Sequence, residues 1–212
     1  GPVFVAYSRR GVTLVDLAAT PEAFAALHQA RLGRPALPAD RPPARLAAAL
    51  EQALATGRAG RVPLDLAGVG PFRAAVLRKA GEIPPGEVRS YGWVAQEIGR
   101  PGSGRAVGNA LAANPVPLVI PCHRVVRSDG RLGRYSLGAD ENKRRLLEAE
   151  GLDVEALARL AERGVRFLGS RTTRIYCHPT CRHARRITER HRMEFRHARE
   201  AAAAGFRPCR DC

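Results

Sequence analysis

Lysine is nearly absent from this 212-residue chain: Lys79 and Lys143 are the only two among 35 basic residues. The positive charge is therefore almost wholly arginine, whose planar donor fork suits phosphates and base edges. Aromatic residues are scarce, and no apolar run approaches the roughly 20 residues of a membrane helix, so no membrane partner is expected. No leader pattern is read at the start, although Gly1-Pro2 without Met is what a trimmed piece would show. Five cysteines are few and odd in number, which argues against a secreted disulfide scaffold. What the chain does have is 45% hydrophobic residues, enough for a core, and a formal charge of +15. That balance implies a soluble, cytoplasmic protein with an anionic partner, nucleic acid.

Charge and cysteine are unevenly placed. Residues 164–212 carry 12 arginines against 4 acids, with four of the five cysteines and four of the six histidines. Two modules are implied, with no internal repeat.

Alternation over Val3–Tyr7 and Val12–Leu17 predicts two strands around an Arg9-Arg10-Gly11 turn. Thr20 as N-cap and Pro21 at the first position start a helix through about Leu32, and a Pro- and Gly-rich loop follows over 33–43. Pro43–Thr56 predicts a second helix and Val62–Leu66 a third strand, giving a sheet subdomain over 1–66. Helices are then expected over Pro71–Ala80, Tyr91–Ile98 capped by Ser90, and Gly104–Ala113 capped by Ser103. The last two, joined at Gly99-Arg100-Pro101-Gly102, form a helix-turn-helix candidate, a pattern that plain core packing also produces. In the second of them, Arg105-Ala106-Val107-Gly108 sets one long cation among small residues, which lets a backbone approach a groove closely.

The run Pro115-Val116-Pro117-Leu118-Val119-Ile120-Pro121 predicts an extended segment that delivers Cys122 to a turn. A buried free cysteine is usually inert packing. Here His123 and Arg124 follow at once; cationic neighbours favour thiolate, and a Cys–His pair is one way to activate sulfur. Adjacent residues on a straight strand face opposite ways, so the pair can cooperate only across a bend or through water.

Residues from Phe72 to Gly151 resemble the catalytic domain of the O6-alkylguanine-DNA alkyltransferases, the methylated-DNA–protein-cysteine methyltransferases. The resemblance rests on Ile83-Pro84-Pro85-Gly86-Glu87-Val88-Arg89-Ser90-Tyr91, Arg105-Ala106-Val107-Gly108, Asn114-Pro115-Val116-Pro117, Ile120-Pro121-Cys122-His123-Arg124-Val125-Val126, and Leu146-Leu147 with Glu150-Gly151. It implies an α+β fold, a helical catalytic domain over 67–151 with a helix-turn-helix, and irreversible transfer of an alkyl group to Cys122 in one turnover. It further implies that His123 is a base acting through water, that Glu150 orients it, and that Asn114 pins the turn. Arg105 would fill the gap left by a flipped base, and Tyr91 would press on the neighbouring phosphate. Ala106, Gly108 and Arg124 are expected on the DNA face, with Tyr135 and Ser136 in a loop over the flipped guanine. The implied partner is double-stranded DNA carrying alkylation damage, bound by a monomer.

In the tail, Cys177-x3-Cys181 and Cys209-x2-Cys212 read as a four-cysteine zinc site, with unligated thiols, disulfides or histidine ligation as the alternatives. Residues 152–212 resemble the metal-binding methylphosphotriester-repair module of the bacterial Ada proteins. The shared stretches are Arg171-Thr172-Thr173-Arg174-Ile175-Tyr176-Cys177-His178-Pro179-Thr180-Cys181 and Ala204-Gly205-Phe206-Arg207-Pro208-Cys209-Arg210-Asp211-Cys212. This implies a small zinc-bound α+β module in which Cys177 is both ligand and methyl acceptor; the alternative is a module that only binds DNA. The module follows the catalytic part instead of preceding it, and Arg182-His183-Ala184-Arg185-Arg186 does not align. The two centres are expected to work independently.

Overall fold

The alternation at the start becomes a hairpin. In the computed structural model, which describes residues 2–60 and 62–212, β1 (Val3–Ser8) pairs antiparallel with β2 (Gly11–Leu17). Gly11 opens β2 with φ +141°, and a Cβ there would lie 2.3 Å from the Pro63 backbone, so only glycine fits. The expected third strand over 62–66 is corrected to an extended segment with a single parallel bridge, Val12 to Leu64. Val12 N donates to Pro63 O and Asp65 N to Val12 O, but Pro63 has no N–H with which to continue a ladder.

Helix α1 (Pro21–Leu32) starts where the cap pattern places it: the Thr20 hydroxyl accepts from Ala23 N, and Gly33 closes it in the left-handed conformation. Helix α2 (Ala44–Thr56) follows the Pro-rich loop. Next come α3 (Pro71–Gly81), β3 (Arg89–Ser90), α4 (Tyr91–Glu97) and α5 (Gly104–Ala112). Ser90 caps α4 through Trp93 N, whereas the Ser103 side chain makes no cap bond to α5. A 3-10 turn at Cys122–Arg124 leads into β4 (Val125–Val126), which pairs parallel with β3, and α6 (Asp140–Ala149) packs against that turn. The apolar faces of α3, α4 and α5 share one core with β2, through Val12, Val15, Val76, Leu77, Val94 and Val107.

Helix α7 (Val154–Glu162) serves both halves. Its Val154 and Leu157 pack with Val88, Val126 and Leu147, while Leu160 reaches the tail cluster. The tail sheet has the order β7-β5-β6-β8, from β5 (Phe167–Ser170), β6 (Ile175–Cys177), β7 (Arg192–Phe195) and β8 (Arg207–Pro208), with α8 (Ala198–Ala203) before β8. Parallel pairing of β6 with β8 brings Cys209 beside Cys177: Cys209 N donates to Tyr176 O at 2.9 Å. Among the described residues, no helix is long and apolar enough to cross a membrane.

Candidate active site and zinc centre

Asn114 builds the turn that delivers Cys122. Its Nδ2 donates to Ile120 O at 3.0 Å, and its Oδ1 accepts from Val116 N at 3.0 Å, all of it buried. The enclosed loop is tight enough that Leu118 adopts φ +70°, a left-handed conformation costly for a branched side chain. The 3-10 turn then supplies the bend that a straight strand lacks.

Around the sulfur, Cys122 Sγ lies 3.4 Å from Ser136 Oγ. The Tyr135 ring stands edge-on to His123 with centroids 6.2 Å apart, and its buried hydroxyl has no hydrogen-bond partner among the described residues. His123 Nε2 faces Glu150 Oε1 at 2.9 Å, while its buried Nδ1 is also unpartnered among the described residues. Glu150 additionally accepts from Gly86 N at 3.0 Å and from the Arg124 guanidinium. These donors outweigh its desolvation and hold its carboxyl at about 2. Burial pushes the His123 imidazole down, against the Glu150 contact that raises it.

Two expectations change here. Arg124 is not on a DNA face: it is buried, clasps Glu150, and donates to Ile83 O at 2.7 Å and Gly57 O at 2.6 Å. Buried and engaged inside the protein, its guanidinium is not presented to a phosphate. Nor do cationic neighbours leave Cys122 a ready thiolate, because burial pushes the thiol up, opposed by the Ser136 and Asn114 hydrogen bonds and by Lys143. Lys143 is the residue that sequence reading missed. It is fully buried, donates to Val125 O at 2.6 Å and lies 5.9 Å from the Tyr91 ring centre, with burial lowering its ammonium to about 8. Its rarity in an arginine chain, and its place four residues before the buried Leu147 on one helix face, were the available signals.

Tyr91 opens α4, and Gly104 and Gly108 of α5 lie against it: a Cβ on Gly108 would sit 3.8 Å from its ring. Arg105 and Ala106 are exposed on the outer side of α5. No ion pair of Arg105 occurs among the described residues.

In the tail, the Sγ atoms of Cys177, Cys181, Cys209 and Cys212 all lie within 4.8 Å of one another. Tetrahedral zinc with sulfur at about 2.3 Å spaces its ligands by roughly 3.8 Å, so the set fits with little movement. Crowding by Cys181 and Cys212 pushes the Cys177 thiol up, the penalty that a divalent cation removes. An open cleft beside the sulfurs is lined by Cys177, Cys209, Thr172, Arg186, Arg207 and Arg210. Arg182 and Arg185, in the stretch that did not align, turn elsewhere, to Asp211 and to Gly86 O.

Two family models match separate stretches of the chain. A family model described as "6-O-methylguanine DNA methyltransferase, DNA binding domain" matches residues 71–152, and one described as "Metal binding domain of Ada" matches 159–212. A methylated-DNA–protein-cysteine methyltransferase of Methanothermobacter thermautotrophicus is 47% identical over 92 residues, 43% of this chain and 51% of that protein. One of Rattus norvegicus is 46% identical over 85 residues, 40% of this chain and 39% of that protein. The chain thus spans about half, or less, of the length of the curated relatives it matches. Among solved structures, Mycobacterium tuberculosis OGT in complex with DNA is 32% identical at TM-score 0.54, covering 74% of this chain and 93% of that one. The O6-methylguanine-DNA methyltransferase of Pyrococcus kodakaraensis is 29% identical at TM-score 0.56, covering 71% and 92%. The matched metal domain and the sulfur geometry together make Cys177, Cys181, Cys209 and Cys212 a zinc-binding set.

Proposed function

The chain belongs to the O6-methylguanine-DNA methyltransferase family, and on that premise we propose that it repairs alkylated duplex DNA by direct reversal, with Cys122 as acceptor. One arrangement carries this reading: His123 donates from Nε2 to Glu150, which leaves Nδ1, buried and unpartnered, as an acceptor beside the Cys122 turn. A water at Nδ1 passes the thiol proton to the imidazole, and Glu150, ionised down to about 2, stabilises the imidazolium. The thiolate sulfur attacks the alkyl carbon; the S–C bond forms as the C–O6 bond breaks, and the electron pair leaves with guanine, which takes up a proton. Because the thiol is raised by burial, ionisation is coupled to attack, and the nucleophile is not a standing thiolate. The product is a thioether, so each molecule reacts once.

A base modified at O6 is unreachable within the stack and must be flipped out. Arg105, free on the outer face of α5, fills the vacated space, with Ala106 and Gly108 allowing close approach and Tyr91 beside the displaced phosphate. Tyr135 and Ser136 close over the guanine. The protein acts as a monomer, with an N-terminal part over 1–66, a catalytic part over 67–151 and a zinc module over 152–212.

At the zinc centre, Cys177 is proposed to take a methyl group from a phosphotriester. The cleft holding Cys177 among Arg186, Arg207 and Arg210 supports this. The second reading, a zinc module that binds DNA without accepting methyl groups, draws on the burial of Cys177.

Replacing Arg105 with Ala tests the flipping role. Transfer from O6-methylguanine in duplex is expected to fall on the order of 10- to 100-fold, since flipping costs a few kcal/mol, while transfer from the free base O6-methylguanine stays unchanged. Equal losses on both substrates would remove Arg105 from flipping.

A further inference from the structure

The segment Gly86–Arg89 touches both centres. At its start, Gly86 N donates to Glu150 Oε2 at 3.0 Å, so this backbone amide is one of the groups fixing the carboxylate against His123. Along the rest of its length the segment is gripped by residues flanking the zinc ligands. Thr180, next to Cys181, accepts from Val88 N at 2.9 Å and donates to Val88 O at 3.3 Å, and all of these groups are buried. On the other side of Cys181, Arg182 N donates to Glu87 Oε1 at 3.1 Å. The Glu87 carboxylate is in turn paired with Arg89 at 2.7 Å, with both side chains almost wholly buried. Arg89 continues into the second ligand pair, donating to Asp211 O at 3.4 Å and to Cys212 Sγ at 3.9 Å, and Trp93 Nε1 donates to Cys212 O.

A buried ion pair is stabilising only when its remaining donors and acceptors are met, and losing a partner is strongly destabilising. Here the missing partners come from the zinc module. Without that module docked, Glu87 would lose Arg182 N, Arg89 would lose Asp211 O and Cys212 Sγ, and Val88 would lose both bonds to Thr180. The segment that starts at the Gly86 turn would then relax toward water, and the amide bond to Glu150 is made at its end.

We propose that the zinc module positions the catalytic pair His123–Glu150 through the Gly86–Arg89 segment, with Thr180 on Val88 and Arg185 on Gly86 O as positioning residues, so that alkyl transfer at Cys122 is faster with the module docked and zinc-loaded. This rests on Cys122 being the acceptor. It replaces the expectation of two independent centres, which assumed that modules separate in sequence are separate in contact.

The charged and titratable groups around His123 are Glu150, Arg124, Lys143, Cys122 and Tyr135. Of these, Glu150 is the one that raises its pKa, while Arg124 and Lys143 lower it along with burial. Loosening Glu150 therefore moves the imidazole further down: the plateau rate falls because the base is weaker, and the acid limb of the pH–rate profile moves to lower pH.

The test compares full-length, zinc-loaded wild type with Thr180→Val, which keeps the shape of the side chain and removes its hydrogen bonds to Val88. Single-turnover transfer from O6-methylguanine duplex is followed across pH, and zinc content and the His123 imidazole titration by NMR are measured on the same samples. Thr180→Val is expected to keep one zinc. It should slow transfer on the order of 3- to 10-fold, well short of the hundredfold that a 1 Å misplacement of reacting groups can cost. The His123 midpoint should move down with it. A zinc-loaded Thr180→Val with wild-type rate and wild-type His123 midpoint would overturn the proposal. Should that variant fail to hold zinc, the double variant Glu87→Gln/Arg89→Gln replaces it, with the same expected and overturning results. If the wild type transfers no alkyl group, the acceptor role of Cys122 has failed, and the His123 midpoint alone still decides whether the segment positions it.

Discussion

Replacing Cys122 with Ser abolishes alkyl transfer while leaving the fold and DNA affinity intact. The substitution is nearly isosteric, and the introduced hydroxyl still has Ser136 Oγ within reach and the backbone of the 3-10 turn to hold it. What is lost is a polarizable nucleophile whose proton a neutral imidazole can remove; an alcohol offers neither the acidity nor the reactivity toward a saturated carbon. The loss should be complete both in duplex and with the free base O6-methylguanine, unlike that of Arg105→Ala, which acts on the duplex alone. Single-turnover assays on both substrates, beside a DNA-binding titration, separate the two. Residual transfer in the Ser variant at wild-type rate would place the acceptor elsewhere.

Stripping zinc with a chelator unfolds residues from about 159 to 212 and also slows transfer at Cys122. The tail's own apolar clusters are small, and one of them is built from Cys177 and Cys181 themselves, with Val165, Leu168 and Ala184. Such a core does not hold a sheet of two- to four-residue strands without its metal. Structural zinc contributes on the order of 10 kcal/mol to folding, so its removal should erase amide-exchange protection across β5 to β8. Metal analysis of the purified chain should find one zinc. Full protection of the tail in zinc-free protein would contradict this. Zinc-free protein that transfers alkyl groups at the loaded rate would contradict the coupling through Gly86–Arg89.

Local patterns carried much of this structure in the sequence. Thr20-Pro21 and Ser90 mark helix starts because cap and proline preferences act within three residues. The Cys-x3-Cys and Cys-x2-Cys pairs mark the metal set because ligand spacing is likewise local. The failures lie where distant residues decide. Val62–Leu66 reads as an apolar strand, but among the described residues it meets β2 only where Leu64 bridges Val12. Arg124 reads as a cation beside the nucleophile, yet its fate is set by Glu150, 26 residues on, and by two backbone carbonyls. Lys143 looks like one more surface charge in Asp140-Glu141-Asn142-Lys143-Arg144-Arg145 until the helix face is known. The hydrogen bonds that tie Val88 and Arg89 to the zinc module join residues 92 to 123 positions apart, beyond the reach of any motif.

Peptide-mapped mass spectrometry after one equivalent of O6-methylguanine duplex tests direct reversal at Cys122 most directly. The expected result is one added methyl per chain, located on Cys122, with unmodified guanine restored in the DNA. No mass gain, or a methyl found only on the zinc-site cysteines, would contradict it.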